Sequence, residues 1–130
     1  MTARYPSSDP KQVDWVGPSK RDLLGFPKPV IREIGQALSV AQYGGRHPSA
    51  KSLRGLGSGV IEIVENHRGA TYRAVYTVRF EDRLYVLHCF QKKSKKGTKT
   101  PRHDIDLIEE RLKRAQLDDQ QRQRERRTKE

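Results

Sequence analysis

Three strand-like segments joined by short connections constrain the fold of this chain more than any other feature. They cover residues 60–65, 71–80 and 84–91 and are rich in Val, Ile, Tyr and Phe, the residue types that favour β-structure. Only residues 67–70 and 81–83 carry the turns between them. The sequence therefore predicts an antiparallel meander.

Helical patterns lie on both sides of the meander. Between residues 29 and 43, apolar side chains recur at offsets of three and four and predict a helix that stops at Gly44 and Gly45. After the meander, Thr100 and Pro101 fit an N-cap and a first helical position. The narrow apolar stripe that follows ends at Ala115.

Shorter elements are predicted near the N-terminus. Residues 13–16 form a strand-like run that stops at a Gly-Pro pair. Ser19, followed three residues later by Asp22, resembles a capping box and predicts a brief helix through Leu24. Residues 46–59 contain three spaced glycines and predict a loop.

The positive charge is concentrated in the part of the chain that should fold. The whole sequence has 27 Lys and Arg against 16 Asp and Glu, for a formal charge of +11. Residues 1–101 hold 18 basic and 8 acidic residues, whereas residues 102–130 hold 9 and 8. A basic domain of this kind attracts nucleic acid. We expect a disordered arm at 1–10, one domain at 11–116, and a charged extension at 117–130 that is a frayed helix or disordered.

Several protein classes are not expected. No apolar run approaches the length of a membrane span, and the first residues lack a signal-peptide core, so we expect a cytoplasmic protein with no membrane partner. Cys89 is the single cysteine, and no group of Cys and His has the spacing of a zinc site. We predict no metal and no cofactor.

Strand alternation places Arg73 on the sheet face opposite the larger apolar set. The middle strand has Tyr72, Ala74, Tyr76 and its alternate neighbours on one side and Arg73 on the other. A two-residue turn at 81–82 would set the pairing with the last strand. The predicted pairs are Phe80 with Arg83, Tyr76 with Leu87, and Arg73 with Phe90.

One face of the predicted sheet therefore gathers polar and aromatic side chains. Its members are Glu62, Arg73, His88, Phe90 and Lys92. A shift of one residue in the last strand would exchange the last three for Cys89, Gln91 and Lys93. A lysine reaches the face in either register, because Lys92 and Lys93 are adjacent.

These residue types suit cleavage at an RNA phosphate. An arginine can hold two phosphate oxygens and stabilise the charge of a pentacoordinate transition state. A lysine whose pKa is lowered by nearby cations can accept a proton from a 2′-hydroxyl, and Phe90 can stack on an unpaired base. Structural alternatives remain open. Arg73 also fits an ion pair with Glu62, Phe90 and Cys89 fit the core, and the lysines after Phe90 fit a solvated loop.

The combined pattern resembles the HigB-type toxins of the RelE/ParE superfamily, a group often described as phage-derived. The resemblance covers residues 13–115. It rests on Leu53-Arg54-Gly55-Leu56, Gly59-Val60-Ile61-Glu62-Ile63, Tyr72-Arg73, Leu87-His88 with Phe90, Lys92-Lys93, and Lys99-Thr100-Pro101.

This resemblance implies an α+β, RelE-like fold. N-terminal helices would pack on a small twisted antiparallel sheet of about four strands, and a helix would end the chain. It also implies a ribosome-dependent mRNA endonuclease, without a metal, that inhibits translation through attack of a 2′-hydroxyl on the adjacent phosphate. The implied partners are the ribosome, mRNA and a helix-turn-helix antitoxin of the HigA type.

By motif, the catalytic candidates are Arg73, Lys92, Lys93 and His88. The RNA-binding candidates are Arg54, Phe90, Lys95, Lys96 and Lys99. The chain has Glu62 and Val64 where RelE has lysines, and no clear counterpart of the RelE tyrosine, for which His88 or Lys95 could compensate. The general base therefore stays open. Two alternatives remain: a ParE-like inhibitor of DNA gyrase and a non-catalytic RNA-binding protein of phage origin.

Overall fold

A computed structural model describes residues 9–92 and 99–129 as an α+β fold. Helices lie on both faces of one sheet. In chain order, the elements are β1 (Gln12–Trp15), α1 (Ser19–Leu24), α2 (Lys28–Gln42), β2 (Ala50–Ser52), β3 (Val60–His67), β4 (Ala70–Thr77), β5 (Arg83–Lys92) and α3 (Arg102–Lys129).

The sheet has five strands in the order β1-β5-β4-β3-β2. The central meander β3-β4-β5 is antiparallel as predicted, and β2 joins its edge antiparallel to β3. β1 instead runs parallel to β5, so the sheet is mixed and the prediction of about four antiparallel strands was wrong in this respect.

The strand β2 lies within residues 46–59, which were predicted to form a loop. Its three residues carry no apolar alternation, and only backbone pairing with β3 defines it.

The pairing of β4 with β5 was predicted correctly at the end that matters for the site. Arg73 lies opposite Phe90, and Val75 opposite His88. A bulge after Val75 then shifts the register by one residue, because an extra residue of β5 is left without a partner. The other two predicted pairs were therefore wrong: Tyr76 pairs with Val86, not Leu87, and β4 ends before Phe80 can pair with Arg83.

The loop between β3 and β4 is a tight hairpin made of two residues in left-handed conformation. Arg68 has a φ of 50° and Gly69 a φ of 81°. Two consecutive positive φ angles match the right-handed twist of the flanking strands, and glycine adopts this conformation at little cost. This turn fixes the register of β3 on β4 and places Glu62 opposite Val75.

Each face of the sheet is covered by helix. α1 and α2 cover the first face, where Ile34 and Leu38 pack with Ile63 and Tyr76. α3 covers the second face through Ile108, Leu112 and Ala115, which share a cluster with Val75 and Leu87. The second face, predicted to lie away from the larger core, thus has a core of its own.

Two helix starts differ from the predicted caps. Ser19 is the first residue of α1 and does not cap it. Its buried hydroxyl donates a hydrogen bond to the carbonyl of Val86 at 3.1 Å. α3 begins at Arg102, one residue later than predicted, and the hydroxyl of Thr100 is bonded to the sheet. In both cases the hydroxyl that was predicted to cap the helix forms a hydrogen bond with the sheet instead.

α3 continues to Lys129 through the segment predicted to be frayed or disordered. Arg122 contacts Asp14 on β1 at 3.3 Å and Asp118 at 2.7 Å, while Arg126 and Gln123 both contact Asp82 at 3.0 Å. These polar contacts replace the missing apolar stripe. In residues 9–92 and 99–129, no helix has both the length and the apolar character needed to cross a bilayer.

Truncating Ile108 to alanine should measure how firmly α3 is packed on the second face. Ile108 is fully buried, so Ile108→Ala should reduce the free energy of unfolding by about 3 kcal/mol in a urea titration, through lost burial and the cavity left behind. Leu117→Ala in the same helix is the control. Leu117 is 66% exposed, and its truncation should change stability by less than about 0.5 kcal/mol. Equal losses would contradict the packing described.

Candidate functional site

An ion pair between Arg73 and Glu62 lies at the centre of the second face. β4 supplies the arginine and the neighbouring strand β3 supplies the carboxylate. Arg73 Nη1 donates a hydrogen bond to Glu62 Oε1 at 3.0 Å, and both side chains are buried. The ion pair with Glu62 that the sequence allowed for Arg73 is therefore present, and the carboxylate compensates the charge of the arginine.

Thr100 closes this pair into a three-membered network. Its hydroxyl donates to Glu62 Oε2 at 2.7 Å and accepts a hydrogen bond from Arg73 Nη1 at 3.3 Å. The segment that precedes α3 is thereby tied to the two central strands. Sequence reasoning assigned this hydroxyl to a helix cap and missed the contact, because the two partners are 27 and 38 residues away along the chain.

Arg73 keeps donors that the ion pair does not use. The bonds to Glu62 and Thr100 come from Nη1, whereas Nε of Arg73 is buried and has no hydrogen-bond partner in the described part of the chain. A buried donor without a partner carries a desolvation cost of about 1–3 kcal/mol. An anion that accepted from Nε would remove this cost.

Lys92 is the last residue of β5 and lies opposite Thr71. Its side chain is buried, and its pKa is lowered. The largest cause is loss of solvation, followed by the charge of Arg73; Lys51 also lowers the pKa, and Glu62 acts in the opposite direction. A lysine with a lowered pKa has a larger neutral fraction, which is the form that accepts a proton.

A groove of about 550 Å³ lies beside this network. It runs between β2 with its following turn and the segment that begins α3. The lining residues are Lys51, Ser52, Leu53, Arg54, Glu62, Lys99, Thr100 and Ile105. Two of the predicted RNA-binding residues, Arg54 and Lys99, are thus brought together. Lys51 was missed because its strand carries no alternating pattern.

His88 and Phe90 lie on the same face but do not line the groove. His88 Nε2 is 2.7 Å from Asp104 Oδ1, and Arg111 Nη1 donates to His88 Nδ1 at 3.0 Å. Because Nδ1 accepts, we assign the ring proton to Nε2, which donates to Asp104. The imidazole also stacks on Phe90, with ring centroids 4.6 Å apart.

These contacts tie α3 to the sheet. Arg111 also donates to the carbonyl of Leu87 at 3.1 Å, so one α3 arginine contacts two consecutive residues of β5. Burial lowers the pKa of His88, and the charge of Arg111 lowers it further, although Asp104 and Asp22 raise it. This geometry supports a structural role for His88 and a core position for Phe90.

Other candidates can be placed only in part. Lys93, Lys95 and Lys96 lie outside the described residues. Cys89 is buried in the core of the first face, and burial raises the pKa of its thiol to about 12. Both observations agree with a small apolar residue in the core. Within the described ranges, no cluster of His, Cys, Asp or Glu could hold a metal ion.

The fold and the site together define a small basic α+β protein with a buried arginine–glutamate pair beside a cationic groove. The chain belongs to the family described as "Phage derived protein Gp49-like (DUF891)", whose match spans residues 21–113. This match confirms the resemblance to the phage-derived group. It covers the ion pair, the groove and the first half of α3.

Comparisons with individual proteins add little. No curated protein matches the chain. Among solved structures, a chain of the toxin–antitoxin complex RelBE2 from Mycobacterium tuberculosis is similar, with 19% identity and a TM-score of 0.45. The alignment covers 68% of this chain and 98% of that one. A likeness of this size carries no conclusion about function.

The lowered pKa of His88 should make stability depend on pH. The unfolded chain binds a proton near the ordinary histidine pKa of about 6.5, whereas folded His88 resists protonation. The stability contributed by neutral His88 is therefore present above pH 6.5 and is lost as pH falls through its lowered folded value. Urea titrations of the wild type and His88→Gln between pH 7.5 and 5 should differ progressively. Parallel curves would contradict this account.

Proposed function

We propose that the protein is the toxin of a toxin–antitoxin system and cleaves mRNA on the ribosome, in the cytoplasm. A 2′-hydroxyl attacks the adjacent phosphate, and the reaction needs no metal. The observation that carries the proposal is the site around Arg73, whose buried Nε is free to donate beside Lys92 and the cationic groove. Membership in the Gp49-like family and the sequence resemblance to HigB-type toxins support it.

Arg73 is proposed to hold the phosphate and stabilise the charge that develops in the transition state. Its fixed position serves this role, since the bonds from Nη1 to Glu62 and Thr100 orient the guanidinium plane before substrate arrives. The negative charge of Glu62 cancels that of Arg73, and the charges of Lys51 and Lys92 keep the site positive. The site therefore attracts an anion without leaving a buried arginine unpaired.

Lys92 is proposed as the general base, with Lys93 as the alternative from the same segment. The base must take the proton of the 2′-hydroxyl as the new O–P bond forms and the bond to the 5′-oxygen breaks. An ordinary lysine is almost entirely protonated at neutral pH. The lowered pKa of Lys92 gives it a larger neutral fraction.

The proposed partners follow from this function. An antitoxin of the helix-turn-helix type would neutralise the toxin, and the ribosome would present the mRNA. Both are expectations from the resemblance. Their simplest test is co-purification of the chain with the product of a neighbouring reading frame.

Replacing Arg73 with alanine should abolish cleavage, because the phosphate loses its arginine contact. However, Arg73→Ala also leaves the buried Glu62 without a compensating charge, which lowers the free energy of unfolding by about 3–5 kcal/mol. Two better variants are Arg73→Lys, which keeps the charge but loses the planar fork, and the double variant Glu62→Leu/Arg73→Met, which removes the ion pair together. After a short pulse of expression, primer extension on cellular mRNA should show cleavage reduced about 100-fold in both.

The control for this experiment is Arg32→Ala, which removes an exposed arginine from α2 on the other side of the sheet. It should cleave like the wild type. Thermal melting must show that the compared variants are folded at the assay temperature. A folded double variant that cleaves normally would contradict the assigned site. DNA damage with intact mRNA would instead support gyrase inhibition.

Lys92 can be tested by separating its charge from its basicity. Lys92→Arg keeps the charge but cannot act as a base near neutral pH, whereas Lys92→Met loses both. On purified ribosomes programmed with mRNA, both variants should cleave about 100-fold more slowly than the wild type. The wild-type rate should rise with pH up to the lowered pKa of Lys92. Wild-type activity in Lys92→Arg would exclude Lys92 as the base and leave Lys93.

A further inference from the structure

We propose that the groove between β2 and α3 binds one unstacked nucleotide of single-stranded RNA next to the scissile phosphate. Lys51 and Arg54 contact the flanking phosphates, and Leu53 and Ile105 contact the base. This inference rests on the proposed function and adds a substrate-binding subsite to it. Lys51, Leu53 and Ile105 were not among the residues predicted from the sequence.

The charge of the groove favours a polyanion. Lys51, Arg54 and Lys99 are exposed lining residues, so their cations are available to solvent. Among the described lining residues, Glu62 is the one carboxylate, and Arg73 and Thr100 already bond its two oxygens. The described lining therefore carries a net positive charge, and the charge of Glu62 is compensated by Arg73.

The groove also offers apolar surface for a base. Leu53 and Ile105 are half-buried, and both pack against the cluster of the second face. Their remaining surface is part of the groove lining. Binding sites for organic ligands combine apolar contacts with a few charged groups, in volumes of roughly 300–1,000 Å³. The volume of about 550 Å³ is within this range.

The position of the groove connects this subsite to the chemistry. Lys51 on β2 lies opposite Glu62 on β3, and Glu62 is bonded to Arg73 on the next strand. The charge of Lys51 also contributes to the lowered pKa of Lys92. A strand of RNA bound along the groove therefore brings a neighbouring phosphate toward Arg73 and Lys92.

The nucleic acid is single-stranded because the groove contacts both backbone and base. RNA-binding proteins that read bases act mainly on unpaired nucleotides, whose faces are free to contact side chains. In a duplex the base faces are stacked and do not reach Leu53 or Ile105. A paired substrate would use the cations alone.

Binding can be measured without cleavage by using a fluorescein-labelled 12-nucleotide RNA with 2′-O-methyl riboses, which lacks the attacking hydroxyl. Fluorescence anisotropy at several salt concentrations gives Kd and its salt dependence. The double variant Lys51→Met/Arg54→Gln should bind about 25-fold more weakly at 0.1 M salt, and its log–log salt slope should fall by about 1.4, since each lost single-strand phosphate contact accounts for about 0.7. Ile105→Thr should weaken binding about fivefold without changing the slope.

Matched controls come from α2, on the opposite side of the sheet. Lys28→Met/Arg32→Gln removes two exposed cations, and Ile31→Thr alters a half-buried isoleucine. Both should bind RNA like the wild type, apart from a small loss of long-range attraction in the charge variant. The same RNA annealed to its complement should bind Ile105→Thr and the wild type equally.

The outcomes separate this inference from the proposed function. If the Lys51/Arg54 variant binds like its α2 control, the subsite is wrong, even if Arg73→Lys still loses mRNA cleavage. If the wild type shows no salt-dependent RNA binding, the subsite is also wrong. If the groove variants lose binding as expected but the wild type cuts no mRNA, the subsite is supported and the proposed nuclease function fails.

Discussion

The buried ion pair between Glu62 and Arg73 is the interaction on which the rest of the second face depends. It joins two central strands across the sheet, and Thr100 extends it to the segment that begins α3. Each partner is tolerated in the interior only because the other is present. The pair therefore keeps both charges compensated within an apolar layer and holds the guanidinium of Arg73 in a fixed orientation.

α3 has two different attachments to the sheet. Its first half is held by apolar packing and by Arg111, which contacts both Leu87 and His88. Its second half is held by Arg122 and Arg126, which contact carboxylates of β1 and of the β4–β5 connection. The family match ends at residue 113, so the α3 residues of the second attachment lie outside the matched region. The first attachment resembles a core, and the second resembles a surface interface.

How much the sequence predicts differs between parts of the molecule for physical reasons. The meander and α2 were predicted because their apolar periodicity records which face is buried. The pairing of Arg73 with Phe90 was predicted from a two-residue turn at 81–82; the actual connection is longer, and the bulge restores the same pair. β2 was missed because a three-residue edge strand is defined by backbone bonds to β3 and not by its side chains. Thr100 was misassigned because a hydroxyl suits a helix cap and a long-range bond equally well, and only tertiary structure chooses between them. His88 was placed on the correct face, but its partners on α3 could not be read from strand patterns.

The bulge after Val75 divides the pairing of β4 with β5 into two registers. On the side of the site, Arg73 and Val75 pair in the register that a two-residue turn would impose, while beyond the bulge the strands are displaced by one residue. The bulge reconciles the two registers by leaving Leu87 of β5 without a partner on β4. The connection at residues 78–82 is itself held in place, since Phe80 packs in the core of the second face and Asp82 contacts Arg126 of α3. A change in the length of this connection would therefore first disturb the contacts that hold α3.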